Sequence, residues 1–322
     1  MERIPWECDL TLTVRRSGGE VTILRAESAD ADVVLPAEIG GEPVTAIAHH
    51  AFTPGRKAPE GERIRFACGP EREADNSRIR RLTLPDGLLR VGDYAFYRCS
   101  ALEELTLGDR IRDWGGCVFM NCPDLRRFTL RLADERGETI CRLADELSRE
   151  LEMLCRCPNG EEMRLIFPEY RESLEENKAA HHFDYNIFGA GYPYHHSFRS
   201  HTFVPGDYDR LWPAYLAAEH DPDCALRLAW WRLRTPHALT AEAGEEYLHY
   251  LRRRCGDVLD WLLSRRDTEG LSWFLDRAEP DRETLSAACE TARRQEATEA
   301  QALLLEQLHR RFAQQRRRRL EL

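Results

Sequence analysis

Lysine is nearly missing from this sequence. Of 46 basic residues only Lys57 and Lys178 are lysines. Codon bias in a GC-rich genome and selection for the bidentate contacts of arginine are both open explanations. Positive charge is in deficit overall, since 56 acidic residues leave a net charge of −10. Nucleic-acid binders draw much of their affinity from neutralising phosphates and show a basic domain, so nucleic acid is not an expected partner. No apolar run approaches the ~18 residues that a membrane span needs. The opening residues, MERIPWE, lack the apolar segment of a secretion signal. With eleven cysteines, an odd number, the expectation is a reducing, cytoplasmic setting in which thiols act as small core hydrophobes. Catalytic signatures are also missing: there is no G-x-S-x-G, no P-loop, no G-x-G-x-x-G after a strand and no H-E-x-x-H. An enzyme is therefore not expected, and neither is a cofactor or a small-molecule substrate.

What the sequence does hold is a repeat. Residues 79–101 read IRRLTLPDGLLRVGDYAFYRCSA and residues 102–124 read LEELTLGDRIRDWGGCVFMNCPD, an offset of 23. Ile79, Leu102 and Leu125 align, as do Leu82, Leu105 and Phe128, and Leu84, Leu107 and Leu130. Val91 matches Trp114, Phe96 matches Phe119, and Cys99 matches Cys122. A degenerate earlier copy spans Val33 to Phe52. Within each copy L-x-x-L-x-L predicts a short strand with one buried face. A coil of this size cannot bury its apolar face alone, so successive coils must stack.

The extended pattern L-P-x-x-[VIL]-x-x-[VIW]-G-D-x-A-F-x-x-C resembles the BspA-like class of bacterial leucine-rich repeats over about residues 10–131. LPAEIGGEPVTAIAHHAF, residues 35–52, looks like the first repeat of that class. The resemblance implies an adhesion or interaction module rather than an enzyme. The residue between the last two leucines should point outward, which predicts a ladder of Thr83, Thr106 and Thr129 spaced about 4.8 Å per coil. Arg81, Glu104 and Arg127 flank it, with Arg131 at the far end. These seven residues are the candidate partner-binding set. The competing reading is a self-paired surface stripe, with threonine chosen for strand propensity.

Two features break the array. Leu35 and Leu84 lie 49 residues apart, 26 more than one period. The excess, residues 53–78, is rich in Gly, Pro and charge and reads as an excursion with one strand at Ile64–Ala67. Ahead of the array, Leu10–Val14 and Val21–Leu24 around SGGE read as a hairpin capping the solenoid. Beyond residue 131 a helix is expected at 141–150. Runs 151–157 and 161–167 around Pro158-Asn159-Gly160 then predict a β-hairpin.

Residues 181–204 carry His181, His182, His195, His196 and His201. Their spacing fits no short metal motif, so they are weak metal candidates, and an aromatic loop packed by its rings is the alternative. Cys155 and Cys157 lie nearest this segment, which leaves a metal- or Cys-dependent enzyme as a minority reading. From about residue 207 the period becomes 3.6. Stripes such as Leu226, Ala229, Trp230, Leu233 and Leu285, Ala288, Cys289, Ala292 predict seven short helices, with Asp257, Asp267 and Asp281 at their starts. Residues 271–308 look distantly ankyrin-like. Arg316–Arg319 suggest either a contact with phosphate or an acidic partner, or a frayed, solvated helix end complementing the macrodipole.

The predicted fold class is α+β: a short leucine-rich-repeat solenoid with an N-terminal hairpin cap, a small β element and an all-α helical-repeat domain. The predicted segments are 1–131, 132–206 and 207–322. The predicted function is a non-enzymatic scaffold that binds a protein partner, with no membrane role. A surface adhesin is the alternative within the same family.

Overall fold

The computed structural model describes residues 2–70, 72–134, 136–177, 182–196 and 198–320. The chain forms two compact units, Met1–His220 with Thr235–Ala238, and Asp221–Arg234 with Leu239–Leu322.

The first unit is a β-solenoid with a sheet cap. Strands β1 (Glu2–Pro5), β2 (Leu10–Ser17) and β3 (Glu20–Ser28) open the chain. Gly18 and Gly19, with φ of 64° and 79°, close the β2–β3 hairpin in the left-handed geometry that a two-residue turn requires. Next come β4 (Asp32–Val34), β5 (Glu38–Ile39), β6 (Glu42–Ile47) and β7 (Glu62–Ala67). The two regular repeats supply β8 (Arg81–Thr83), β9 (Arg90–Val91), β10 (Glu104–Gly108) and β11 (Asp113–Trp114), and β12 (Arg127–Arg131) follows. Each repeat thus gives two strands rather than one. The L-x-L strands build one sheet in the order β4-β8-β10-β12, all parallel. The strands at Ile47, Val91 and Trp114 build a second, β6-β9-β11, also parallel.

Between the sheets the repeat positions stack in register. Leu82 pairs with Leu105 and Leu105 with Phe128, all buried. The rings of Phe52, Phe96 and Phe119 follow one another at 5.2 and 5.5 Å. The repeat cysteine has a specific task. Cys99 Sγ donates to the Phe52 carbonyl at 3.6 Å, and Cys122 Sγ donates to the Phe96 carbonyl at 3.0 Å. A buried carbonyl between coils is thereby partnered by a side chain small enough for the core.

The 53–78 excursion does not simply project. Its strand β7 inserts between β1 and β2, so the sheet runs β1-β7-β2-β3-β6-β9-β11. The expected strand is present at Glu62–Ala67, and the cap hairpin joins the solenoid through parallel pairing of β3 with β6. The helix expected at 141–150 is α1 (Glu138–Glu146), starting three residues earlier. Buried Asp109 accepts from the Thr139 amide at 3.0 Å and fixes that start.

The loss of the 23-residue period after β12 does not end the solenoid sheet. Strand β13 (Leu151–Arg156) adds to β12 in parallel and in register, and β14 (Glu162–Phe167) folds back antiparallel through the Asn159-Gly160 turn. Within 181–204, read as an aromatic loop, the described residues 182–196 are largely regular structure. Strand β15 (Arg171–Asn177) forms a hairpin with β16 (His182–Phe188), followed by the short α2 (Tyr192–His196). Phe183 and Tyr185 on that hairpin are 58% and 54% exposed, whereas Tyr194 and Phe203 of the same stretch are buried, so only some of its rings pack. Short helices α3 (Pro205–Asp209) and α4 (Trp212–Ala217) complete the unit.

The second unit is all helix among the described residues: α5 (Pro222–Arg234), α6 (Ala241–Arg253), α7 (Cys255–Ser264), α8 (Thr268–Ala278), α9 (Arg282–Arg294) and α10 (Thr298–Leu320). Asp267 and Asp281 cap α8 and α9 by accepting the Gly270 and Thr284 amides, both at 2.8 Å. Asp257 lies in the first turn of α7, and Thr240 caps α6. Trp230 is the centre of the core, edge-on to Trp261 at 5.6 Å and to Trp273 at 5.4 Å. Arg316–Arg319 fall in the final turns of α10. Among the described residues no helix is long and apolar enough to cross a membrane.

Candidate functional site

The sheet β4-β8-β10-β12-β13 carries the candidate residues. Parallel register places Asp32, Arg81, Glu104, Arg127 and Glu152 in one column. Val34, Thr83, Thr106, Thr129 and Leu154 form the next accessible column, two positions along each strand. Side chains alternate across a strand, so both columns share the outer face while Val33, Leu82, Leu105, Phe128 and Met153 point inward. The threonines are partly buried, and Arg81 and Arg127 are exposed.

The charged column is ordered by strict alternation of sign. Arg81 grips Asp32 with Nε at 2.7 Å from Oδ1, while Arg127 Nε donates to Glu104 at 2.6 Å and its Nη2 to Glu103 at 3.0 Å. At the far end Arg164 Nη1 donates to Glu152 at 2.8 Å. The Arg81 guanidinium holds the Asp32 carboxyl below the usual carboxylate range. Arg131 pairs with Asp86 and donates to the Leu84 carbonyl at 3.0 Å; Gly108 occupies the register position beside it on β10. The structure therefore brings all seven candidates to one face, and the four charged ones are ion-paired there. Sequence reading missed Asp32, Glu152 and Arg164, because one lies before the insertion and two lie after the period is lost.

The histidines do not converge. His195 is buried, with Nδ1 2.8 Å from the Ala144 carbonyl and Nε2 2.9 Å from the Pro168 carbonyl. His196 meets Asp145 at 2.9 Å and the Tyr170 hydroxyl at 2.7 Å. His201 is exposed. His182 is placed by its backbone in β16, and His181 lies outside the described residues. Among the described residues no group of three or more His, Cys, Asp or Glu is placed to hold a metal ion. Cys155 is fully buried on β13, and burial pushes its thiol far above the ordinary value, the opposite of what a nucleophile requires. Cys157 lies just past the end of that strand and is half-buried.

A solved structure of a leucine-rich repeat protein from T. pallidum is 17% identical, aligning over 37% of this chain and 68% of that one with a TM-score of 0.23. No curated protein matches the chain. Residues 74–137 match the family described as a BspA type leucine rich repeat region of six copies. That span, similar in sequence to BspA type leucine rich repeats, holds β8 to β12 with the Phe96–Phe119 stack and both repeat cysteines.

Proposed function

We propose that this chain is a non-enzymatic recognition scaffold that docks a protein partner on the β4-β8-β10-β12-β13 face. Leucine-rich repeats present extended surfaces for protein binding. The observation that carries the reading is the fixed, alternating column Asp32–Arg81–Glu104–Arg127–Glu152 beside the threonine column. Such a face offers a polar partner charges of both signs at strand spacing and selects against partners that misalign them. The eleven cysteines are all free, which supports a reducing compartment.

The test keeps stability and changes polarity. Exchanging the ends of one pair, Asp32→Arg with Arg81→Asp, preserves an ion pair but inverts the local pattern. The tagged wild type and the exchange variant are used to capture partners from native lysate, and proteins bound by the wild type are quantified by mass spectrometry. Loss of the specific partner at unchanged melting temperature supports the face. Equal recovery by both chains removes it.

A further inference from the structure

We propose a second binding site, an acidic-peptide groove formed where the 53–78 excursion folds over the solenoid turns. Its anchor is Arg25 on β3, 3% exposed although it carries a full charge. One nitrogen, Nη1, is spent on the carbonyls of His50, Ala51 and Thr53 at 3.4, 3.3 and 2.5 Å. Nε is buried without a hydrogen bond, since its nearest carboxylate, Glu27, stands 3.8 Å away. Glu27 is also drawn off by Arg63 at 3.3 Å. A buried guanidinium nitrogen left unsatisfied is costly; Nε itself is closed off from solvent, and the Arg25 side chain borders a cavity of about 600 Å³.

That cavity shares Gly55 with a second, more open one of about 870 Å³. Arg56 and Lys57 line the first, and Arg98 and Arg149 line the second. None of these four cations has an ion-pair partner among the described residues, unlike the arginines of the strand face. The carboxylates present are Glu27, Glu73 and Asp75, all in the first cavity, and Asp75 is engaged by Ser77 and Arg78. The second cavity has no carboxylate in its lining. Two joined lobes with cations in each fit an extended chain carrying several carboxylates better than one compact anion. One Asp or Glu side chain of the peptide sits in the first lobe beside Arg56 and Lys57, with the buried Arg25 charge behind it, and further acidic residues run past Arg98 and Arg149.

The full chain is titrated into a fluorescein-labelled oligoglutamate of about eight residues, read by anisotropy, with oligolysine and inorganic phosphate as comparison probes. Saturable binding of oligoglutamate and none of oligolysine is expected, weakening roughly tenfold between about 0.05 and about 0.3 M salt. Lys57→Glu and Arg98→Glu are exposed changes, one in each lobe, and each is expected to weaken binding roughly fivefold or more with an unaltered melting curve. Absence of saturable binding overturns the proposal, as does binding indifferent to both variants. Displacement of the peptide by phosphate at equal concentration overturns the peptide assignment in favour of a small-anion site. Arg81 and Arg127 lie elsewhere, so failure here leaves the strand-face reading standing, and the reverse also holds.

Discussion

A Cβ built on Gly115 would lie 2.2 Å from the backbone nitrogen of Asp93, one coil earlier. The glycine after the second-sheet strand is therefore a close-approach residue. Gly92 holds the same place one coil back, where a Cβ would meet the His49 nitrogen at 2.5 Å. Real Cβ contacts do not come this close, and the obstacle is backbone, which cannot swing away. Gly115→Ala is expected to destabilise the first unit by about 3 kcal/mol, as overpacking against a rigid neighbour does. Gly116 is the internal control, because its nearest obstacle is Asp93 Oδ1 at 3.9 Å. Gly116→Ala should cost under about 1 kcal/mol. Chemical denaturation of both variants checks this, and equal losses would refute the close-approach account.

The charged column makes a second expectation. Arg127→Glu would face Glu103, Glu104 and Glu152, turning attraction into repulsion. Like charges directly opposite in a sheet each cost a few tenths of a kcal/mol, so a loss of about 1 kcal/mol is expected at neutral pH. The loss should shrink in acid, where the carboxylates protonate. Unfolding curves at neutral pH and near pH 4 test this.

Arg98 and Asn121 are repeat equivalents that both adopt left-handed backbone, with φ of 62° and 61°. Asparagine tolerates this region and arginine does not. Arg98→Asn should therefore raise stability by about 0.5 kcal/mol. A lower melting temperature for the variant would contradict the strain.

His195 gives a pH dependence. Burial holds its imidazole below the ordinary value, despite the raising effect of its two carbonyl contacts. The unfolded chain then binds more protons than the folded one just below the ordinary histidine value, so stability falls as pH drops through about 6.5 and levels off below the folded value. The wild type is expected to lose more melting temperature between pH ~7.5 and ~5.5 than His195→Gln does. Identical losses would show that other groups control the slope.

Thiol accessibility divides the cysteines. Cys68 and Cys117 are exposed, while Cys99, Cys122 and Cys155 are buried. Burial pushes the Cys122 thiol up to about 12 and raises Cys99 and Cys155 as well. A disulfide reagent at neutral pH should modify Cys68 and Cys117 first and reach the three buried thiols only on unfolding. Rapid labelling of Cys155 in the folded chain would revive a nucleophile reading.

The sequence by itself determined the repeat, its 23-residue period, the inward leucines and the outward threonines, because period-two alternation and coil-to-coil stacking are local and repetitive constraints. It also determined the Asn159-Gly160 hairpin and the Asp267 and Asp281 caps, whose chemistry is contained within a few residues. Only the tertiary structure decided that β7 enters the cap sheet, that β13 continues the solenoid without its motif, and that Asp32 and Glu152 complete the charged column. Strand pairing across such separations is set by backbone hydrogen bonds, which carry no side-chain signature. The Arg25 groove was hidden for the same reason: its cations come from β3, the excursion and the two separate segments holding Arg98 and Arg149, and only folding brings them to adjoining cavities.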